Sequence, residues 1–164
     1  MKVKELMVPS VRACFANEDL AKAARLMWEH DCGCVPVLSD QARVIGMITD
    51  RDICMAVFFH CVPMSEIRVS EAMSRQLFVC SADDELASAE TIMNDKKVRR
   101  LPVLNTEGRM VGLISFSDIA ERADQEHTER ATPRRVTDAQ VARLAAAISR
   151  SQRTAGRPTR RPND

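Results

Sequence analysis

Gly46-Met47-Ile48-Thr49-Asp50-Arg51-Asp52 recurs 66 residues further on as Gly112-Leu113-Ile114-Ser115-Phe116-Ser117-Asp118. Working outward from this pair, Val3 to Val57 aligns with Val69 to Ala123 without a gap, and 17 of the 55 positions are identical. Composition alone would give about three or four, so the chain is a tandem duplication. The identities include Cys14/Cys80, Met27/Met93, Pro36/Pro102, Val37/Val103, Arg43/Arg109, Gly46/Gly112 and Asp52/Asp118.

Each copy reads as β-α-β-β-α, an α+β unit. A short β-like run, Val11 to Phe15 or Leu77 to Cys80, leads into an acidic helix start at Asn17-Glu18-Asp19 or Asp83-Asp84-Glu85, where carboxylates complement the helix dipole. The apolar stripes Leu20, Ala23, Ala24, Met27 and Leu86, Ala89, Ile92, Met93 have helical spacing. Two short strands joined by a polar turn (Ser39 to Ala42; Asn105 to Gly108) predict a hairpin, and Thr49 or Ser115 opens the second helix. A lone copy is too small to bury a stable core, so the two are expected to pack sheet to sheet. The expected boundaries are 1–60 for the first copy and 67–124 for the second, with Phe59 to Ile67 connecting them. Residues 125–164 then hold a linker from His127 to Arg135, a short amphipathic helix and a tail. The helix is marked by Thr137 to Gln140 as a capping box and by the stripe Val141, Leu144, Ala145, Ile148.

The net charge of +1 conceals an asymmetry: residues 128–164 carry +6, including nine arginines, and residues 1–127 carry −5. The tail from Arg150 has too few apolar residues to order itself. No apolar run long enough for a signal peptide or a membrane span occurs, so a cytoplasmic protein away from membranes is expected. Its six cysteines are then reduced thiols. His30-Asp31-Cys32-Gly33-Cys34 has the wrong spacing for a zinc knuckle, and no metal is expected. There is no nucleophile elbow, P-loop or H-E-x-x-H motif, so no enzyme activity is expected.

A glycine on a strand permits close approach of a ligand or of backbone. The hydroxyl of Thr49 or Ser115 sits where free helix N–H groups attract an anion, and Asp52 or Asp118, one turn on, offers two acceptor oxygens suited to a ribose diol. The structural alternative is that the hydroxyl and the aspartate simply cap the helix.

With its paired G-h-h-[T/S]-x-x-D motifs (h, hydrophobic), hydrophobic-Pro-Val strands and lead-in helices at Val3 to Met7 and Val69 to Met73, the chain resembles the cystathionine β-synthase (CBS) domain pair, or Bateman module, over about residues 1–124. The resemblance implies a four-layer α/β/β/α module and a homodimer. It also implies a non-catalytic regulatory role in which AMP, ADP, ATP, S-adenosylmethionine or NAD binds between the copies as a regulatory ligand, with no cofactor required. Carried onto this sequence, Asp52 and Thr49 form one site with Leu77, Phe78 and Val98 against adenine and Arg99 and Arg100 on phosphate, Arg51 being a further phosphate contact. Asp118 and Ser115 form the other with Val11 and Cys32; because Gly33 and Cys34 replace the arginine pair there, the Asp52 site is expected to bind nucleotide better. An unidentified protein target is implied for such a module. The competing reading is an adaptor acting through its basic tail on nucleic acid or a protein; with no aromatic residue in the tail to stack bases, nucleic acid is the less favoured partner.

Overall fold

In the computed structural model, residues 1–9, 11–128 and 140–145 are described. The two copies form the same elements from the same causes. In the first, β2 (Cys14–Phe15) precedes α1 (Leu20–Glu29), which starts where the Asp19 side chain accepts the Lys22 N–H at 2.8 Å. Leu20, Ala23 and Met27 are buried along one face of this helix. The strands β3 (Cys34–Leu38) and β4 (Val44–Thr49) form an antiparallel hairpin with Val37 opposite Gly46, and α2 (Asp50–His60) follows. In the second copy the counterparts are β5 (Cys80–Ser81), α4 (Leu86–Lys96), β6 (Arg100–Leu104), β7 (Met110–Ser115) and α5 (Phe116–Thr128). Before it, α3 (Val69–Ala72) is the lead-in helix, and a 3-10 turn at Val3–Glu5 is its equivalent at the N-terminus. The sheets are β2-β3-β4 and β1-β7-β6-β5, with β1 (Val8–Pro9) antiparallel to β7.

The first strand of each copy is shorter than its apolar run suggests. Cys14 pairs with Val37 and Cys80 with Val103, so the next ladder position falls opposite Pro36 or Pro102, which has no N–H to donate. Helices α2 and α5 run longer than expected, taking Phe59 and His60 from the connector and His127 and Thr128 from the linker. No proline or glycine intervenes to stop either of them earlier.

The lead-in segments are exchanged between copies. Leu86 N–H donates to Met1 O at 2.9 Å and Val3 N–H to Asp84 O at 2.9 Å, so the start of the chain closes the helix start of copy two. Reciprocally, Leu20 N–H donates to Ile67 O at 2.9 Å and Val69 N–H to Glu18 O at 2.8 Å. Val3, Ile67 and Val69 are essentially fully buried. Ion pairs from Lys4 to Asp83 (2.8 Å) and from Lys2 to Glu85 (3.1 Å) decorate the first exchange, and the Lys4 hydrogen bond holds Asp83 below its ordinary carboxylate range. Being solvent-exposed, they add little to stability. The compact units follow the exchange: among the described residues, one contains Met1–Met7, Asp83–Leu101 and those of 114–128 and 140–145, the other Val8–Ala82 and Pro102–Leu113.

The larger unit's core gathers Cys14, Leu20, Met27, Val35, Val37, Ile48, Ile53, Ile67 and Val69, where each fully buried Val, Leu or Ile contributes about 1.5–3 kcal/mol. Burial pushes the Cys14 thiol up to about 11, which makes it a packing residue. Gly46 is required by backbone: Met47 and Ser74 exchange hydrogen bonds of 3.1 and 2.9 Å, and a Cβ on Gly46 would lie 2.5 Å from Ser74 O.

Residues 140–145 are helical, with Leu144 only 4% exposed. Gln140 hydrogen-bonds Glu90 on α4, whose Oε1 is buried without a partner, and burial raises the Glu90 pKa. Thr137, Ile148 and the tail from Arg150 lie outside the described residues.

Two outcomes follow from this packing. Gly46→Ala should cost about 1–3 kcal/mol through overpacking, read as a lowered urea midpoint with an unchanged slope. Glu90→Gln should raise the melting temperature at pH 7, and the gain should vanish as the pH falls towards 4. A carboxyl whose pKa is raised by folding supports the fold below its unfolded pKa and loses that support as pH rises through the folded value.

Candidate functional site

Both repeated motifs fold into the same reciprocal cap. Thr49, extended at φ −116°, ψ 162°, ends β4, and its hydroxyl donates to Asp52 Oδ2 at 2.7 Å. The Thr49 N–H donates to the same oxygen at 2.9 Å, and Asp52 N–H donates back to Thr49 Oγ1 at 3.1 Å. In copy two the Ser115 hydroxyl and N–H donate to Asp118 Oδ2 at 2.8 and 2.7 Å, and Asp118 N–H returns a bond of 3.2 Å. The structural alternative and the ligand reading therefore use the same atoms. The cap occupies Oδ2 alone; Oδ1 of each aspartate has no hydrogen-bond partner among the described residues. Each motif thus sets one carboxylate oxygen, held in a fixed orientation, beside the positive end of a helix of 11 or 13 residues.

The remaining expected site residues fall around these caps as follows. Arg51 is exposed on the first turn of α2. Leu77 and Phe78 are half-buried just before β5, in the same contact unit as Asp52. Val98 and Arg100 are half-buried and Arg99 is exposed, in the same unit as Asp118. The Phe116 N–H donates to Arg99 O at 2.9 Å, which brings the arginine pair beside the Ser115 cap. In copy one the equivalent bond runs from Asp50 N–H to Gly33 O at 3.2 Å and brings Cys32 beside the Thr49 cap. Val11 is half-buried ahead of β2.

Beside α2 lies a groove of about 460 Å³ whose lining includes Met27, Trp28, Asp31, Cys32, Asp50 and Ile53. Trp28, on the groove's rim, is 88% exposed and so is not a core residue. Asp31 and Asp50 also line this groove, although neither was an expected ligand-binding residue; each adjoins one that was, Cys32 and Thr49 respectively. Among the described residues, no group of three or more His, Cys, Asp or Glu side chains is placed to hold a metal, and no helix is long and apolar enough to cross a membrane.

A family model for the CBS domain matches the chain twice, at residues 3–58 and 69–124. Hypoxic response protein 1 of Mycobacterium tuberculosis is 31% identical over 117 residues, covering 71% of this chain and 81% of that protein. CBS domain-containing protein YhcV of Bacillus subtilis is 32% identical over 118 residues, covering 72% and 82%. Among solved structures, Hypoxic Response Protein I with two coordinated zinc ions superposes with a TM-score of 0.67 at 30% identity, covering 74% of this chain and 98% of that one. The CBS domain pair of protein MJ0100, in complex with 5′-methylthioadenosine and S-adenosyl-L-methionine, gives 0.68 at 20% identity, covering 77% and 98%; at that identity the likeness is one of fold. Two matched repeats, the shared fold and the doubled cap lead to one assignment: the chain belongs to the CBS-domain family and is a CBS-domain pair.

Proposed function

We propose that this CBS pair is a non-catalytic regulatory module of the cytoplasm that binds an adenosine-containing ligand, with AMP, ADP, ATP and S-adenosylmethionine as the leading candidates, and needs no cofactor. The observation that carries the reading is the doubled cap, in which an aspartate is oriented by its partner hydroxyl and keeps Oδ1 available at a helix mouth. With Oδ2 taken by the cap, the two lone pairs of Oδ1 are what would accept a pair of adjacent ribose hydroxyls. The adenosyl ligands of MJ0100 support the ligand class. Asp52 and Thr49 would work with Leu77, Phe78, Val98, Arg99, Arg100 and Arg51, and Asp118 and Ser115 with Val11 and Cys32. The Phe116–Arg99 hydrogen bond favours a second arrangement, in which the arginine pair serves phosphate at the Asp118 site of its own copy.

Calorimetric titration of the full chain with AMP, ATP and S-adenosylmethionine tests both arrangements. At least one ligand should give saturable heat. Asp52→Asn and Asp118→Asn keep a carbonyl acceptor for the cap while losing the charge, so the variant at the stronger site should weaken binding about tenfold or more with little change in melting temperature. Loss mainly in Asp52→Asn supports the first arrangement, and loss mainly in Asp118→Asn the second. Absence of saturable heat for every ligand refutes the reading.

The reading includes a homodimer. Trp28 at the end of α1 and Phe58 and Phe59 on α2 are 88%, 70% and 68% exposed, and the two phenylalanines meet edge to face at 5.3 Å. Exposed aromatic side chains of this size are what an interface between two copies would cover. Sedimentation should find a dimer that Phe58→Asp converts to monomer; a monomeric wild-type chain removes this part of the proposal.

A further inference from the structure

The two hairpin turns, 39–42 and 105–108, lie in the same contact unit and enclose a cavity of about 490 Å³. Gln41 and Arg43 line it from one turn, Glu107 and Arg109 from the other, with Leu38 and Met110 beneath. The two turns have the same construction. Ser39 Oγ accepts the N–H groups of Gln41 and Arg43, each at 3.3 Å, and Asn105 Oδ1 accepts those of Glu107 and Arg109 at 3.0 and 2.9 Å. Ala42 and Gly108 occupy the left-handed position just before each arginine, at φ 57° and 73°.

Three charged positions are identical between the copies: Glu5/Glu71, Arg43/Arg109 and Asp52/Asp118. The glutamates accept the backbone N–H groups of Lys2 and Arg68 at 2.8 and 2.9 Å, and the aspartates cap helices. The arginine side chains do no comparable structural work. Arg43 has no hydrogen-bond or ion-pair partner for its guanidinium among the described residues, and Arg109 has one exposed contact, to Glu107 at 3.5 Å. Two arginines and Gln41 therefore line one cavity in which Glu107 is the one acidic lining residue. Guanidinium groups pair phosphate oxygens two at a time, so the lining suits an anion bearing several phosphoryl oxygens.

We propose that the Arg43–Arg109 cavity binds a small oligophosphate, free or as the tail of a nucleotide. The site lies apart from the capped motifs. Arg43 and Thr49 stand at opposite ends of the six-residue strand β4, about 20 Å apart at the usual rise per residue. The proposal therefore stands independently of adenosyl binding.

The test is calorimetry of the full chain at low salt with inorganic pyrophosphate, which carries no ribose. Wild-type protein should give saturable heat that weakens with added salt. Arg43→Ala and Arg109→Ala should each weaken binding roughly fivefold, as expected of exposed charge pairs; the double variant should abolish it, and Glu107→Gln should tighten it. Asp52→Asn/Asp118→Asn should leave pyrophosphate binding unchanged, and ADP titrated into that background shows whether a nucleotide tail is also accepted. All the substitutions at the turns are at exposed positions, so melting temperatures should stay close to wild type. No saturable heat for pyrophosphate, unchanged binding in the double arginine variant, or loss in the double aspartate variant would each overturn the proposal.

Discussion

Neither copy of the repeat finishes its own first helix. The N–H at the start of α1 is taken by Ile67 O and that at the start of α4 by Met1 O, in each case a carbonyl supplied by the segment leading into the other copy. Helix N-termini carry unsatisfied donors that must find acceptors, and here the acceptors arrive together with the side chains that seal the helix from water, Ile67 and Val69 in one case and Val3 in the other. The later pairings continue the pattern: Val8 and Pro9 extend β7, and Ser74 bridges Met47 on β4. Lead-in, helix and sheet edge are thus set by one exchange, and the hydrophobic cores form around it.

The capped motifs answer a local version of the same requirement. Thr49 and Ser115 each satisfy an orphan helix donor, and Asp52 and Asp118 satisfy the donors of the capping residue in return. Because two hydrogen bonds hold Oδ2, the direction of Oδ1 is set before any ligand arrives, and the entropy of ordering a charged side chain is already spent in folding. Structural and binding roles are therefore not rivals at these positions.

Much of this was legible in the chain because the duplication let each weak local signal be read twice. The hairpins, the apolar stripes at Leu20, Ala23, Met27 and Leu86, Ala89, Met93, and the carboxylate at the start of α1 all follow from local spacing and chemistry. What escaped depends on contacts distant in sequence. Gly46 announced a close approach without saying to what, and the answer, Ser74 O, lies 28 residues away. Val8 and Pro9 carry no strand pattern of their own and become a strand only where β7 offers an edge. Trp28 reads as core or interface by composition, and its place at the end of α1, past the last buried position Met27, leaves it exposed. The convergence of Arg43 and Arg109 required the two turns to meet, which no spacing along the chain expresses.

The exchanged lead-ins also bear on ancestry. A single unit of this kind has an open helix start and a dangling segment that fits the same opening on a neighbour, which is the arrangement from which reciprocal swapping between identical chains arises. Duplication in tandem turns that intermolecular trade into an intramolecular one, so assembly no longer depends on protein concentration. Once both halves reside in one chain they are free to diverge, and Arg99-Arg100 against Gly33-Cys34 records such a divergence: two openings inherited as equals have become chemically distinct.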